Sequence, residues 1–174
     1  MTRESRILIA EDETIIRLDL RGLLEGAGFE VCAEARDGVE AVELARSAEP
    51  DMAILDVKMP RLDGIEAARR ILEERAIPIV MLTAYGHEEL VSRAVDAGVF
   101  GFLVKPFREA EVLAAILTAR ARHEELVQRQ GGRDASTRFD LNLPSAAAES
   151  WPLSFHRRPD GSLRVSVRQR EESR

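Results

Sequence analysis

Five short segments rich in apolar residues recur along the chain, and each is followed by a segment with helical periodicity. The five segments are Arg6–Ala10, Phe29–Ala35, Asp51–Leu55, Ile77–Leu82 and Phe100–Val104. Most are continuous apolar runs, which are typical of parallel strands because helices cover both faces of a parallel sheet. Five repeats of strand and helix predict an α/β protein, a (βα)5 doubly wound parallel sheet of five strands.

The segments between the strands carry apolar residues at three- and four-residue spacing. They predict helices over Thr14–Ala27, Asp37–Ala48, Gly64–Arg75, His87–Ala97 and Arg108–Gln130. Gly28 and Gly98 follow the first and fourth helices at the usual C-terminal cap position. Asp37, with Glu40 three residues later, is close to a capping box at the start of the second helix.

The composition changes after Gln130, where Gly131-Gly132, three prolines and a Ser/Ala-rich stretch follow. We therefore expect a domain at residues 1–126 and a mostly disordered tail at 127–174, with an extended fifth helix and a linker. Within the tail, two segments with alternating residues flank Pro159-Asp160-Gly161, a turn sequence. A short hairpin is the alternative interpretation there, although an isolated hairpin is only marginally stable in water.

The chain has a net charge of −6, and this charge is distributed unevenly along it. Residues 1–126 carry 16 Lys and Arg against 25 Asp and Glu, a net −9, and residues 127–174 carry 9 Arg against 6 acids, a net +3. An acidic body does not favour nucleic acid, because binding there depends on neutralising phosphates. A weak RNA contact through the basic tail stays open, beside the plainer interpretation of solubilising charge.

The sequence contains few features that indicate a cellular compartment. No apolar stretch reaches the length of a membrane span, and the N-terminus lacks the apolar core of a signal peptide. The single cysteine, Cys32, cannot form an internal disulfide, which fits a reducing compartment. We expect a cytoplasmic protein without a membrane partner.

Polar residues stand at the carboxyl ends of four predicted strands: Asp12, Asp56, Thr83 and Lys105. In an open α/β sheet, ligands bind in the crevice beyond these ends, so we expect the four side chains to converge. Glu11 beside Asp12 adds a third carboxylate to the group. Carboxylates in such a cluster repel one another, and a magnesium ion, which prefers oxygen ligands, would relieve the repulsion.

The same residues suit the transfer of a phosphoryl group. With the cation bound, Asp56 is a carboxylate nucleophile, and the rest of the reaction needs alignment and charge compensation. Lys105 and the hydroxyl of Thr83 suit phosphate oxygens, and the small Ala84 lets a group approach the backbone amide there. Taken singly, an Asp after a strand is often a helix cap and a Lys-Pro pair a surface turn. The combination at four strand ends favours the phosphoryl site.

The stretches ILIAEDE, ILDVKMPRLDGIEA, IVMLTAYG and GFLVKPF together resemble the receiver domain of two-component response regulators, over residues 5–126. The resemblance implies a flavodoxin-like strand order. It implies that Asp56 accepts phosphate from a histidine kinase or phosphotransfer protein. It also implies a self-phosphorylating and self-dephosphorylating switch rather than a turnover enzyme.

The resemblance also assigns the other site residues. Mg²⁺ would be held by Glu11, Asp12, Asp56 and the backbone carbonyl of Lys58. The phosphoryl oxygens would be bound by Thr83, Ala84 and Lys105.

In the family, phosphorylation changes the face formed by helix 4, strand 5 and helix 5. Thr83 and Phe102 occupy the switch positions, although a fixed core aromatic is an equally good interpretation of Phe102. Lys58 and Tyr85 occupy positions that adjust the dephosphorylation rate. The same face is a candidate homodimer contact, and helix 5 beyond His123 a candidate coiled coil.

Within the family, AEDETIIRLDL and VKMPRLDGIEAA are most similar to receivers that precede an ANTAR RNA-binding module in antiterminator regulators. The tail does not match that module. The leading hypothesis is therefore a phosphorylatable switch with no recognised output domain. The alternative is an RNA-binding transcription antiterminator with a divergent output tail.

Two further alternatives fit less well. A phosphatase of the haloacid dehalogenase type shares a nucleophilic Asp and Mg²⁺, but needs a second Asp two positions later, where this chain has Lys58. A degenerate receiver that is never phosphorylated is disfavoured because no pocket residue is missing.

Overall fold

The structure is a computed structural model of the chain, and it describes residues 5–84, 88–131, 153–157 and 163–167. The predictions that concern Tyr85, and those that concern the tail other than the end of the fifth helix and the two strands, lie outside the described residues.

One parallel sheet forms the centre of the molecule. Its strands are β1 (Arg6–Ala10), β2 (Glu30–Ala35), β3 (Met52–Asp56), β4 (Ile79–Thr83) and β5 (Gly101–Val104). The strand order is β2-β1-β3-β4-β5, and every neighbouring pair is parallel. The predicted doubly wound sheet of five strands is confirmed.

Helices cover both faces of this sheet. They are α1 (Thr14–Gly26), α2 (Gly38–Ala48), α3 (Gly64–Glu74), α4 (Glu88–Asp96) and α5 (Glu109–Gly131). The core on one face joins α1 and α5 to the sheet, and the core on the other face joins α2, α3 and α4. Alternate residues of each strand supply the two cores: Ile7 and Ile9 pack beside α1, and Leu8 and Ala10 pack beside α2. Each fully buried Leu or Ile stabilises the fold by about 1.5–3 kcal/mol.

Predicted and observed element boundaries differ by at most two residues. The difference matters at β3 and β4, because Asp56 and Thr83 are the last residues of these strands rather than the residues that follow them. The fifth helix includes Gly131, which we expected to terminate it.

Asp37 caps α2 as expected. Its Oδ1 accepts hydrogen bonds from the N–H groups of Val39 and Glu40, both at 2.9 Å. Glu40 does not complete a capping box, because its Oε2 accepts from the N–H of Arg36 at 2.7 Å, one residue before the cap. At the end of α1, Gly28 has a φ of +86°, the left-handed conformation that makes glycine suitable after a helix.

The second half of α5 is anchored at the amino ends of the strands. Arg120 Nη1 donates to Ser5 Oγ at 2.9 Å, and Arg122 Nη1 donates to the carbonyl of Phe100 at 3.1 Å. His123 Nε2 lies 2.8 Å from the carbonyl oxygen of Ala76. These acceptors precede β1, β5 and β4, so this part of α5 lies at the sheet edge opposite to the strand carboxyl ends.

A separate antiparallel pair, β6 (Leu153–Arg157) and β7 (Leu163–Val167), lies in the tail. Its register places Phe155 opposite Val165. The short hairpin allowed by the sequence is therefore present. Across all the described ranges, no helix combines the length and the apolar character that crossing a bilayer requires.

Candidate functional site

The site is built where four strands end at the carboxyl edge of the sheet. Glu11 directly follows β1, Asp56 ends β3, Thr83 ends β4 and Lys105 directly follows β5. Backbone hydrogen bonds hold these ends side by side. The N–H of Val57 donates to the carbonyl of Leu82 at 3.0 Å, and the N–H of Lys105 donates to the carbonyl of Thr83 at 2.8 Å.

Three carboxylates meet at this edge. One oxygen each from Glu11, Asp12 and Asp56 lies within 4.8 Å of the others. Glu11 is 0% exposed and Asp56 is 5% exposed, whereas Asp12 is on the surface. The acidic cluster (Glu11, Asp12 and Asp56) therefore has two buried members and opens to solvent beside Asp12.

Lys105 supplies the cation of the site. Its Nζ lies 2.6 Å from Glu11 Oε2 and 3.1 Å from Asp56 Oδ2, and its side chain is largely buried. The ammonium thus pairs with both buried carboxylates.

Burial controls the ionisation of these groups. Burial raises the pKa of Asp56, although Lys105 and a hydrogen bond from the Lys58 N–H act in the opposite direction. Burial likewise raises the pKa of Glu11 against the opposing effect of Lys105. For Lys105, burial opposes the charged form, but pairing with Glu11 and Asp56 outweighs it and raises its pKa. Burial therefore disfavours the charged form of both carboxylates, and a nearby cation opposes this effect.

A buried oxygen of Glu11 tests whether a divalent cation fits. Glu11 Oε1 accepts the N–H of Glu13 at 3.1 Å, and Oε2 lies 2.6 Å from Lys105 Nζ. A carboxylate oxygen can accept more than one partner, and three adjacent carboxylates fit a hard cation such as Mg²⁺.

The loop between β3 and α3 is clamped to α2, which the sequence analysis did not anticipate. Arg61 has a φ of +65°, and the N–H of Leu62 donates to the carbonyl of Pro60 at 2.7 Å, which closes a γ-turn. This conformation is strained for a residue with a side chain. An ion pair of 3.0 Å between Arg61 Nη1 and Asp37 Oδ2 holds the turn. The loop that includes Lys58 is thereby fixed relative to α2.

A cleft of about 420 Å³ adjoins the acidic cluster. Its wall includes Asp12, Lys58, Met59, Pro60 and Arg93. Arg93 Nη2 on α4 lies 3.6 Å from Asp63 Oδ2, at the cap of α3. The open side of the site is therefore bordered by the β3–α3 loop and by α4.

The remaining predicted residues take different positions. Lys58 and Ala84 are exposed beside the cluster, and Thr83 is buried to 9% exposure. Phe102 is 7% exposed and packs in the core that includes Met81 and Ala94. The structure thus brings Glu11, Asp12, Asp56 and Lys105 together, and it places Phe102 in the core.

One buried charge near the site was missed. Arg17 on α1 is only 7% exposed. The sequence carried a signal, because Arg17 precedes Leu20 and Leu24 by three and seven residues and so shares their buried stripe.

Comparison with known proteins gives a consistent result. The receiver domain of response regulators matches residues 7–117. The transcriptional regulatory protein PdtaR of Mycobacterium tuberculosis is 51% identical over 126 residues, which cover 72% of this chain and 62% of PdtaR. The chemotaxis protein CheY of Bacillus subtilis is 40% identical over 112 residues, which cover 64% of this chain and 93% of CheY.

Solved structures agree. The receiver domain of the putative response regulator NarL from M. tuberculosis superposes with a TM-score of 0.65 at 29% identity, covering 69% of this chain and 99% of that one. A CheX–CheY–BeF3–Mg²⁺ complex from Borrelia burgdorferi gives 0.64 at 30% identity, covering 67% and 89%. The predicted resemblance is confirmed, and the chain belongs to the response regulator receiver domain family.

Proposed function

We propose that Asp56 accepts a phosphoryl group from a phosphohistidine of a histidine kinase or phosphotransfer protein, in a Mg²⁺-dependent reaction. The observation that carries the proposal is the position of Asp56. Its carboxylate lies in the acidic cluster and 3.1 Å from Lys105 Nζ, at the carboxyl end of a parallel strand. The protein is then a signalling switch modified on its own side chain, rather than a turnover enzyme.

Glu11, Asp12, Asp56 and the Lys58 carbonyl would hold the magnesium ion. When bound, the ion neutralises the acidic cluster and compensates the charge of the transferred group. The three adjacent carboxylates support this assignment. The related CheY complex from B. burgdorferi contains both BeF3 and Mg²⁺.

The reaction at Asp56 exchanges one bond to phosphorus for another. A carboxylate oxygen of Asp56 forms the new P–O bond while the P–N bond to the donor imidazole breaks. The leaving nitrogen keeps the electron pair and takes a proton from solvent. Lys105 pairs with one phosphoryl oxygen, and the Thr83 hydroxyl and Ala84 N–H bind others, so that these side chains supply alignment and charge.

The switch would act through the face formed by α4, β5 and α5. Thr83 and Met81 lie two residues apart on β4 and so point to the same side of the sheet, and Met81 pairs with Phe102 in the register. Phe102 packs in the same core as Ala94 of α4. A movement of Thr83 toward the phosphoryl group would therefore change the packing of Phe102 and, through it, the position of α4. The changed face is the proposed contact for a partner or a second copy of the chain.

The decisive experiment is phosphorylation with acetyl phosphate, with and without Mg²⁺, followed by phosphate-affinity electrophoresis. We expect Mg²⁺-dependent labelling that Asp56→Asn abolishes. Asp51→Asn is the matched control, because Asp51 precedes the same strand at its opposite end. Acid-labile labelling that persists in Asp56→Asn would refute the assignment. Steady turnover of a phosphate ester such as p-nitrophenyl phosphate would instead favour a phosphatase.

The second candidate function is RNA binding by an antiterminator with a divergent tail. It is favoured by the 51% identity to a transcriptional regulatory protein. A salt-dependent gel shift of RNA that strengthens on phosphorylation would support it, and no shift at low salt would exclude it.

A further inference from the structure

We propose that Arg17 is a positioning residue, which fixes the backbone between Glu11 and Asp12 so that both carboxylates face one metal ion. This inference rests on the proposed function, because it assigns Arg17 a part in building the magnesium site. Three observations carry it: the burial of Arg17, its bond to Glu11, and its charge partner on β2.

The burial of Arg17 needs an explanation. Arg17 is 7% exposed on the face of α1 that also buries Leu20 and Leu24. A guanidinium in this position loses hydration, and it is stable there only when hydrogen bonds and an opposite charge replace the lost water.

The first interaction that replaces the lost hydration of Arg17 is a hydrogen bond to the site itself. Arg17 Nη1 donates to the backbone carbonyl of Glu11 at 2.6 Å. On the other side of the same residue, the N–H of Glu11 donates to the carbonyl of Ala35 at 3.1 Å. The backbone of Glu11 is thus held from two directions, by α1 and by the end of β2.

Planarity of the peptide group extends this constraint to Asp12. The carbonyl of Glu11 and the N–H of Asp12 belong to one planar unit, so holding that carbonyl also sets the direction in which the chain enters Asp12. Asp12 is exposed, yet its carboxylate lies within 4.8 Å of those of Glu11 and Asp56. Repulsion among the three carboxylates would open this turn, and the bond from Arg17 opposes the opening.

The second replacement is a charge partner. Arg17 Nε faces Glu34 Oε2 at 3.5 Å, near the end of β2. Glu34 Oε1 in turn pairs with Arg21 Nη1 at 2.8 Å, and Arg21 Nε pairs with Glu25 Oε1 at 2.8 Å. Glu34 thus pairs with Nε of the guanidinium, while Nη1 is directed at the Glu11 carbonyl.

Arg21 offers a matched control. It lies one helical turn after Arg17 on α1, carries the same charge and shares Glu34, but among the described residues its side chain hydrogen-bonds to Glu25 and Glu34 instead of to the Glu11 backbone. Arg17→Gln and Arg21→Gln therefore both remove one positive charge beside Glu34, and only the first removes the bond to the Glu11 carbonyl.

The test is calorimetric titration of Mg²⁺ into the full chain and into both variants. We expect Arg17→Gln to weaken Mg²⁺ binding on the order of 10-fold, as residues that orient metal ligands commonly do. We expect Arg21→Gln to change it by about twofold or less, as for exposed ion pairs. Equal affinity in Arg17→Gln and the parent, or an equal loss in both variants, would overturn the proposal.

Two further measurements separate positioning from general destabilisation. Amide hydrogen exchange without metal should be faster at Asp12 and Glu13 in Arg17→Gln than in the parent, and unchanged in the middle of β3. Arg17→Lys, which keeps the charge and one donor, should recover part of the affinity, and it replaces Arg17→Gln should that variant fail to fold. Uniformly faster exchange across the sheet, or no recovery in Arg17→Lys, would contradict the assignment.

The experiments distinguish a failure of the proposed function from a failure of the role assigned to Arg17. A parent chain that binds Mg²⁺ but takes no phosphate at Asp56 would refute the proposed function, while the titrations would still decide the role of Arg17. If phosphorylation does occur, Arg17→Gln should need more Mg²⁺ for half-maximal labelling and reach nearly the same rate at saturation.

Discussion

Gly64 lies directly against the backbone of Asp56. A β-carbon at position 64 would come within 1.8 Å of the carbonyl oxygen of Asp56, and within 3.1 Å of Met81 Cε. The N–H of Gly64 also donates to the carbonyl of Val57 at 3.0 Å. The first residue of α3 therefore packs on the strand end that carries the central carboxylate, and this packing is open only to glycine.

Gly64→Ala should consequently damage both stability and the site. The methyl group must displace the Asp56 backbone or the start of α3, and overpacking of this kind costs about 1–3 kcal/mol. We expect a lower free energy of unfolding in urea and slower phosphorylation by acetyl phosphate.

Gly22→Ala is the matched control for this change. No atom other than the helix's own backbone and the two neighbouring residues lies within 4 Å of a β-carbon at this exposed position inside α1, so alanine should stabilise the helix by up to about 1 kcal/mol. A Gly64→Ala protein as stable and as readily phosphorylated as the parent would show that the contact can relax without cost.

Replacing Lys105 with methionine should make the site more dependent on Mg²⁺. The change removes the ammonium that pairs with Glu11 and Asp56, and loss of one partner from a buried charge group costs about 3 kcal/mol. A divalent cation can replace the missing charge, so Mg²⁺ should raise the melting temperature more in Lys105→Met than in the parent, while phosphorylation slows.

Lys58→Met serves as the control for Lys105→Met, because the Lys58 side chain is exposed. It should change the response of the melting temperature to Mg²⁺ only slightly. A smaller response in Lys105→Met than in the parent would contradict the pairing of the ammonium with the buried carboxylates.

Asp37 should contribute a pH-dependent part of the stability. The N–H of Glu40, together with Arg61 and Val39, holds the pKa of its carboxyl below the ordinary value of 3.8. Because the pKa is lower in the folded state, the contribution is complete above the unfolded value and is lost as the pH falls through the folded value.

Unfolding free energies of the parent and Asp37→Asn measure this effect. The parent should be more stable at pH 7, and the difference should shrink below about pH 4, following the ordinary carboxyl value. Asp19→Asn, at an exposed position on α1, should show little difference at either pH. A difference between the parent and Asp37→Asn that grows as the pH falls would have the wrong sign for a lowered pKa.

We expect two exposed apolar residues beside the site to form part of the surface that binds the phosphodonor protein. Ile15 is 83% exposed and Leu18 is 56% exposed, and both lie on α1 just after Asp12. Apolar surface of this kind commonly marks a protein contact. Ile15→Ser should slow transfer from the cognate kinase and leave labelling by acetyl phosphate unchanged, because the small donor needs no docking surface.

Leu117→Ser tests the specificity of this expectation. Leu117 is 63% exposed on α5, so the substitution removes a similar apolar side chain from a different surface. Transfer from the kinase should proceed at the parental rate in Leu117→Ser. If Ile15→Ser slows phosphorylation by the kinase and by acetyl phosphate equally, the substitution acts on the site itself and not on a docking surface.

The apolar runs were sufficient to predict the sheet, because strands buried on both faces leave a continuous signal in the sequence. They also placed Asp56, Thr83 and Lys105 at one edge, since parallel strands end together. The ends of β3 and β4 were not predicted exactly, because the run Ile77–Leu82 begins before the strand and ends one residue before Thr83, its last residue.

Other parts of the site depend on contacts between elements distant in sequence. Arg17 looks like a charged residue on a solvated helix until its contact with the Glu11 carbonyl is known. The left-handed conformation of Arg61 follows from its position between Pro60 and Leu62 against α2, and nothing in its side chain favours it. Gly64 could have been an ordinary helix-start glycine, and only the nearby Asp56 carbonyl shows why the position excludes a side chain.

The anchoring of α5 determines where a signal leaves the domain. Helix α5 spans 23 residues, or about 35 Å. Its residues Arg120, Arg122 and His123 contact residues that precede three strands, at the sheet edge opposite to the acidic cluster. The chain therefore leaves α5 beyond the amino edge of the sheet, so a tilt or shift of α5 is one route by which a change at the acidic cluster would reach the residues that follow.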